Sequence, residues 1–230
     1  MSEKITGRKL KGRVLDLLLA DDPIESVRQL SLLPAREVMN PLFSFLYNEN
    51  ELVRWRAVTV MGQIMRNLAE RDMESAREFM RRLMWSLNEE SGGIGWGAPE
   101  AMGEIMACHE ELANEYVLIF VSYLDPRGNF LEYEMLQRGL LWGLIRLAES
   151  RPERAMAAAA HIGRYLQSGD ATVRGLAAWA AGLLQAHETR SGLEELLSDK
   201  SELRLYSGGK METLTVRDLA EKGISLLNRC

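Results

Sequence analysis

Laid over one another at a spacing of about forty residues, five segments of this chain repeat a single pattern, and that period most constrains what it can fold into. The clearest copies read LVRWRAVTVMGQI at 52–64, IGWGAPEAMGEI at 94–105, MLQRGLLWGLI at 135–145 and TVRGLAAWAAGLL at 172–184. A weaker fifth copy is TVRDLAEKGISLL at 215–227. Anchored on the small residue near the end of each copy, the register runs Gly62, Gly103, Gly143, Gly182 and Ser225, in steps of 41, 40, 39 and 43 residues. A unit of that size is a pair of helices that cannot bury its own apolar face. Stacking against its neighbours supplies the core.

In the first copy Val53, Ala57, Val60, Met61 and Ile64 follow the i, i+4, i+7, i+8 spacing of an amphipathic helix, not the alternation of a strand. The fourth copy puts Val173, Ala177, Ala180 and Ala181 in the same places, and Arg174 stands where Arg54 stands. Glycine inside a helix costs about 1 kcal/mol relative to alanine. Its return at equivalent places therefore predicts close helix-to-helix packing. Second helices are expected at 73–87, 111–124, 152–167 and 191–197, and a degenerate pair at 23–32 and 35–47 turns at Pro34. The NEN before Leu52 and the GDAT before Val173 supply candidate caps. Near the end, Leu203, Leu205, Met211 and Leu214 around Gly208-Gly209 suggest a two-stranded hairpin at 202–216, with a long capping loop as the alternative. Either would cover the open apolar end of the array. The expected fold is all-α, a right-handed α-α superhelix of about five helix pairs. It forms one domain over 1–230, with N-terminal capping helices at 1–48, repeats at 49–198 and a C-terminal capping unit at 199–230.

At 230 residues and 47% hydrophobic the chain can build one sizeable core. Its longest purely apolar run, Tyr116 to Val121, is far short of the ~20 residues of a membrane span. The N-terminus has no signal-peptide pattern, so a cytoplasmic protein with no membrane partner is expected. Cys108 and Cys230 imply no disulfide framework. A net charge of −5 argues against nucleic-acid binding, which clustered Lys and Arg drive. A short basic arm, Lys4, Arg8, Lys9, Lys11 and Arg13, reads as a solvated first helix or as a contact for an acidic partner.

The motif V-R-x-x-A-x-x-x-x-G at this period resembles HEAT repeats, in particular the HEAT-like type of bacterial phycobilin lyases, over residues 24–228. The stretch RRLMWSLNEESGGIGWGAPEAMGEIM is similar to one in bacterial HEAT-like repeat proteins of that type. Such arrays serve mostly as scaffolds that bind other proteins, while some act in cofactor attachment and one group repairs alkylated DNA. The resemblance implies a non-enzymatic scaffold for a protein or peptide partner, with no cofactor. The alternative it leaves is a lyase-like or other small-ligand enzyme at the glycine-rich junction of the second and third repeats. The acidic balance disfavours DNA repair.

That junction, SGGIGWG at 91–97, is the most unusual local sequence. Gly92, Gly93, Gly95 and Gly97 precede a helix with Pro99 in its first turn, so they either present N–H groups to an anion or simply reverse the chain. It is no dinucleotide fingerprint, because a helix and not a strand precedes it. Asn88, Glu89, Glu90, Trp96, Glu100 and Glu104 flank the glycines, with Asn129 and Glu132 at the next junction. A polar binding pocket of Glu89, Glu90, Gly92, Gly93, Trp96, Glu100, Asn129 and Glu132 is expected, against helix caps and solvated acids. Trp55 and Trp96 share a repeat position and Trp179 lies four residues further on, giving either an outward aromatic row for a partner or rings packed between helices. Trp142 reads as core. Cys108-His109-Glu110-Glu111 lacks the second histidine of a metal helix, so neither metal ligands nor a catalytic set are expected.

Overall fold

The computed structural model describes residues 7–87 and 95–229, and resolves into two compact units, 1–101 and 102–230.

In the first unit, α1 (Gly7–Leu19) buries Leu10, Val14 and Leu18 and turns Arg8, Lys9 and Arg13 to solvent. From Arg8 onward the basic arm is thus the outer face of a helix, with Lys11 Nζ 5.5 Å above the ring of Phe45, while Lys4 lies outside the described residues. Helices α2 (Pro23–Ser31) and α3 (Ala35–Phe45) follow, and Asp22 Oδ1 accepts from the N–H groups of Ile24 and Glu25 to start α2. In α4 (Glu51–Ala69) the whole expected stripe, Val53, Ala57, Val60, Met61 and Ile64, is buried. Helix α5 (Met73–Leu87) buries Ala76, Met80 and Leu83.

Helix α6 (Ala98–Cys108) holds the unit boundary and starts later than the repeat pattern suggests. Gly97 sits at φ +76° in the turn before it, and a β-carbon there would stand 2.9 Å from Leu46 Cβ. Only glycine fits, because that backbone region is strained for L side chains and the space is filled.

In the second unit α7 (Glu110–Ser122) is capped by His109, whose Nδ1 accepts from Leu112 N–H at 3.3 Å. Helix α8 (Glu134–Ser150) buries Leu136, Leu140, Trp142, Gly143 and Leu144. The expected helix at 152–167 forms in pieces: α9 (Pro152–Ala155), α10 (Ala159–Ile162) and intervening 3₁₀ turns at Met156–Ala158 and Gly163–Gln167. These pieces still bury Ala155, Ala158, Ile162 and Tyr165. Helix α11 (Ala171–Leu183) is the fourth copy, α12 (Arg190–Glu195) is short, and α13 (Val216–Leu227) begins in a capping box of Thr215 and Asp218.

The shared V-R of copies one and four has one structural meaning. Asn50 caps α4 by accepting from Leu52 and Val53 N–H, and Arg54 Nη1 donates back to Asn48 O at 3.2 Å. Asp170 caps α11 by accepting from Val173 N–H, and Arg174 Nη1 donates to Ser168 O at 2.8 Å. Each arginine ties its helix to the turn that leads into it, satisfying carbonyls that would otherwise be orphaned.

The glycines are helix crossings. A β-carbon on Gly103 would lie 2.5 Å from the carbonyl carbon and oxygen of Gly143, so α6 and α8 meet backbone to backbone. A β-carbon on Gly182 would lie 2.6 Å from Gly223 Cα, so α11 meets α13 at Gly223, two residues before the Ser225 that anchors the register.

Of the two readings of 202–216, the hairpin forms. β1 (Glu202–Ser207) pairs antiparallel with β2 (Lys210–Thr215) around Gly208 and Gly209, both at positive φ as a tight two-residue turn requires. It lies across helices instead of only closing an end. Trp142 Nε1 donates to Tyr206 O at 3.1 Å, and Leu203 Cδ2 fills the space where Gly175 has no side chain. Arg174 clamps its base through Asp199 Oδ2 at 2.7 Å.

Candidate functional site

Trp96, 38% exposed, sits in the Gly95–Gly97 turn ahead of α6 and not on a helix, which corrects the reading that it shares a helical face with Trp55. Glu100 follows in the first turn of α6, partly buried. Burial pushes its carboxyl up to about 7, only partly offset by its own backbone N–H and by the positive charge of Arg54. Among the described residues no ion pair reaches this carboxylate. Trp55 is half-buried on α4, and its carbonyl accepts from Thr59 Oγ1 at 3.3 Å. Glu89, Glu90, Gly92 and Gly93 lie outside the described residues.

Asn129 and Glu132 belong to the second unit, on the loop between α7 and α8. Asn129 Nδ2 donates to Ser122 Oγ at 2.9 Å, and Gln137 Nε2 donates to the carbonyls of Leu131 and Glu132 at 2.9 and 3.3 Å. Gly128 allows the turn, since a β-carbon there would meet Ser122 O at 2.7 Å. The Asn129 amide N–H is thus engaged within the loop, whereas the Glu132 side chain is exposed.

Trp179 is 6% exposed, beneath Lys222, whose Nζ stands 3.2 Å from its ring centroid, so it offers no open aromatic face. Burial depresses the ammonium of Lys222, against the raising charges of Glu149 and Glu212. The sequence reading missed this cation–π pair and the cation opposite Glu100. Arg54 was visible as the R of the repeat motif, but nothing in a one-dimensional pattern points it at Glu100. Among the described residues no group of three or more His, Cys, Asp or Glu is arranged to hold a metal, and no helix is long and apolar enough to cross a membrane.

The carboxyl of Glu100 makes stability depend on pH. Unfolded, it titrates near 4.5, and folded near 7. Between these values the native state holds a proton that the unfolded state has released, so stability is greatest below the lower value and falls as pH rises through the upper one. Glu100→Gln should flatten that slope and stabilise the protein above neutrality by roughly 1–3 kcal/mol. Urea denaturation of both proteins across the window checks this, and parallel pH profiles would refute it.

No protein-family model and no curated protein matches the chain. Solved structures do. An engineered protein is 17% identical, with 95% of this chain and 96% of that one covered and a TM-score of 0.52. A designed armadillo repeat protein in complex with the peptide (KR)4 is 17% identical, with 96% and 100% covered and a TM-score of 0.53. Computationally designed armadillo repeat proteins for modular peptide recognition are similar at 16% identity, 94% and 99% coverage and a TM-score of 0.50. At these identities the likeness is one of fold: the chain has a helical-repeat fold of the armadillo kind, with a small two-stranded sheet before its last helix.

Proposed function

We propose that this protein is a non-enzymatic scaffold that binds a protein or peptide partner carrying cationic side chains, through a site that includes Trp96 and Glu100. Within the repeat fold we place it with the HEAT-like type of the phycobilin lyases, on its V-R-x-x-A-x-x-x-x-G motif. The observation that carries the binding proposal is an exposed tryptophan in the turn before α6, four residues ahead of a partly buried carboxyl whose pKa burial raises to about 7. A docking ammonium or guanidinium would restore its charge, and the indole supplies apolar and cation–π contact. The net charge of −5 favours the same class of partner. A fold neighbour holds the basic peptide (KR)4.

That peptide is a direct probe. Titration calorimetry should show it binding, more weakly at high salt, and Trp96→Ala with Glu100→Ala should weaken it at least tenfold while the melting curve stays cooperative. Undiminished binding by the double variant would reject the site.

A further inference from the structure

Four arginines stand on α3 and α5 of the first unit, and three of them are matched to acids of the same unit. Arg36 Nη2 lies 3.6 and 3.8 Å from the carboxylates of Asp72 and Glu78, Arg77 Nη1 lies 3.5 Å from that of Glu74, and Arg81 Nη2 lies 2.8 Å from the same group. Arg82 differs: among the described residues no carboxylate pairs with it. It is held all the same. Its Nη1 donates to Asn40 Oδ1 at 2.7 Å, and its guanidinium carbon lies 4.0 Å from the centroid of the Phe43 ring, which packs in turn against Phe79 at 6.2 Å.

Phe43 is buried and Arg82 is exposed, so the ring covers one face of the guanidinium while the residue stays open to solvent. The Nε and Nη2 groups have no acceptor among the described residues, and together they make the parallel fork that fits the two oxygens of a carboxylate. Asn40 takes only the remaining nitrogen. Three residues further along α5, and so on the same side of the helix, Trp85 is 73% exposed, the most open aromatic side chain among the described residues. An arginine already fixed on a ring loses little freedom on binding, and an open indole beside it adds apolar contact, a combination typical of interface anchors. Glu78, one turn before Arg82, makes a doubly charged phosphate a poorer occupant than a single carboxylate.

We propose that Arg82 and Trp85 dock an acidic segment of a protein partner, one Asp or Glu carboxylate taking the Nε and Nη2 fork and a large apolar side chain beside it lying on the indole. The occupant has the opposite charge to the partner proposed for Trp96 and Glu100, so charge alone separates the two sites.

The probe is the synthetic peptide (DELF)2, with (NQLF)2 as its uncharged counterpart. Titration calorimetry on the full chain should show (DELF)2 binding, more weakly at high salt, and (NQLF)2 binding about tenfold more weakly or not at all. Arg82→Gln should weaken (DELF)2 binding about tenfold, and Arg82→Lys should restore little of it, because an ammonium keeps the charge without the fork. Trp85→Ala, at a side chain too exposed to support the core, should weaken it about threefold or more while the melting curve stays unchanged. Arg81→Gln makes the same change of net charge on the same helix and should leave binding within about twofold, since Arg81 already engages Glu74. Any of these results would overturn the proposal: no binding of (DELF)2, equal binding of (NQLF)2, full rescue by Arg82→Lys, equal losses for Arg82→Gln and Arg81→Gln, or displacement of the peptide by millimolar inorganic phosphate at constant ionic strength. The basic peptide (KR)4 reads Trp96 and Glu100 separately, so failure at one site leaves the result at the other standing.

Discussion

Gly103→Leu should destabilise the 102–230 unit by roughly 3 kcal/mol or more and lower its melting temperature by about 10 °C. Overpacking in a core is usually softened by rotamer changes in flexible neighbours. Here the β-carbon itself would lie 2.5 Å from the backbone carbonyl of Gly143, and backbone in the middle of α8 has no rotamer to change. The two helices must separate, and that loosens contacts along both. Even Gly103→Ala should be destabilising, despite the gain in helix propensity. Gly12 in α1 is the control, since a β-carbon there meets nothing within 4 Å. Gly12→Ala should be neutral or stabilising by about 0.5–1 kcal/mol. Denaturation followed by circular dichroism distinguishes the two, and equal behaviour at Gly103 and Gly12 would mean that α6 and α8 do not touch at this crossing.

The glycine register made that crossing visible in the sequence, as the apolar spacing did α4 and α11. Residues that recur at a fixed period must do the same work in each unit, so their packing role can be read without coordinates. Two kinds of feature escaped. The late start of α6 depends on Gly97 adopting a left-handed backbone against Leu46, a contact over 51 positions that no local pattern contains. The path of the hairpin depends on Trp142 and Gly175 receiving Tyr206 and Leu203, so alternation and a Gly-Gly turn foretold the strands but not the helices they would lie on. The candidate site was legible only in part. Composition singled out Trp96 and Glu100, but the burial that raises the pKa of Glu100 comes from tertiary packing. The tryptophan row failed as an open surface at Trp179 because Lys222, 43 positions away, lays its ammonium over the ring.

Arg146→Met should cost about 3–5 kcal/mol, although methionine suits a helix and fills similar space. The reason lies in Glu104, whose side chain is 4% exposed and which accepts from Arg146 Nε at 2.8 Å. Arg146 also reaches Glu149 Oε2 at 2.9 Å. Burial works against the guanidinium charge, yet the hydrogen bonds and charges of Glu104 and Glu149 hold its pKa above the ordinary arginine value. Without Arg146 the Glu104 carboxylate stays buried without its ion-pair partner. Glu104→Gln in the same chain removes the charge that needed compensation, and the double variant should recover most of the lost stability, as buried pairs replaced together often do. A double-mutant cycle measured by urea denaturation reads this directly. The explanation requires a strongly non-additive cycle. Additive costs, or a single Arg146→Met variant within roughly 1 kcal/mol of the parent, would show that water reaches Glu104 and that the pair contributes as little as an exposed one.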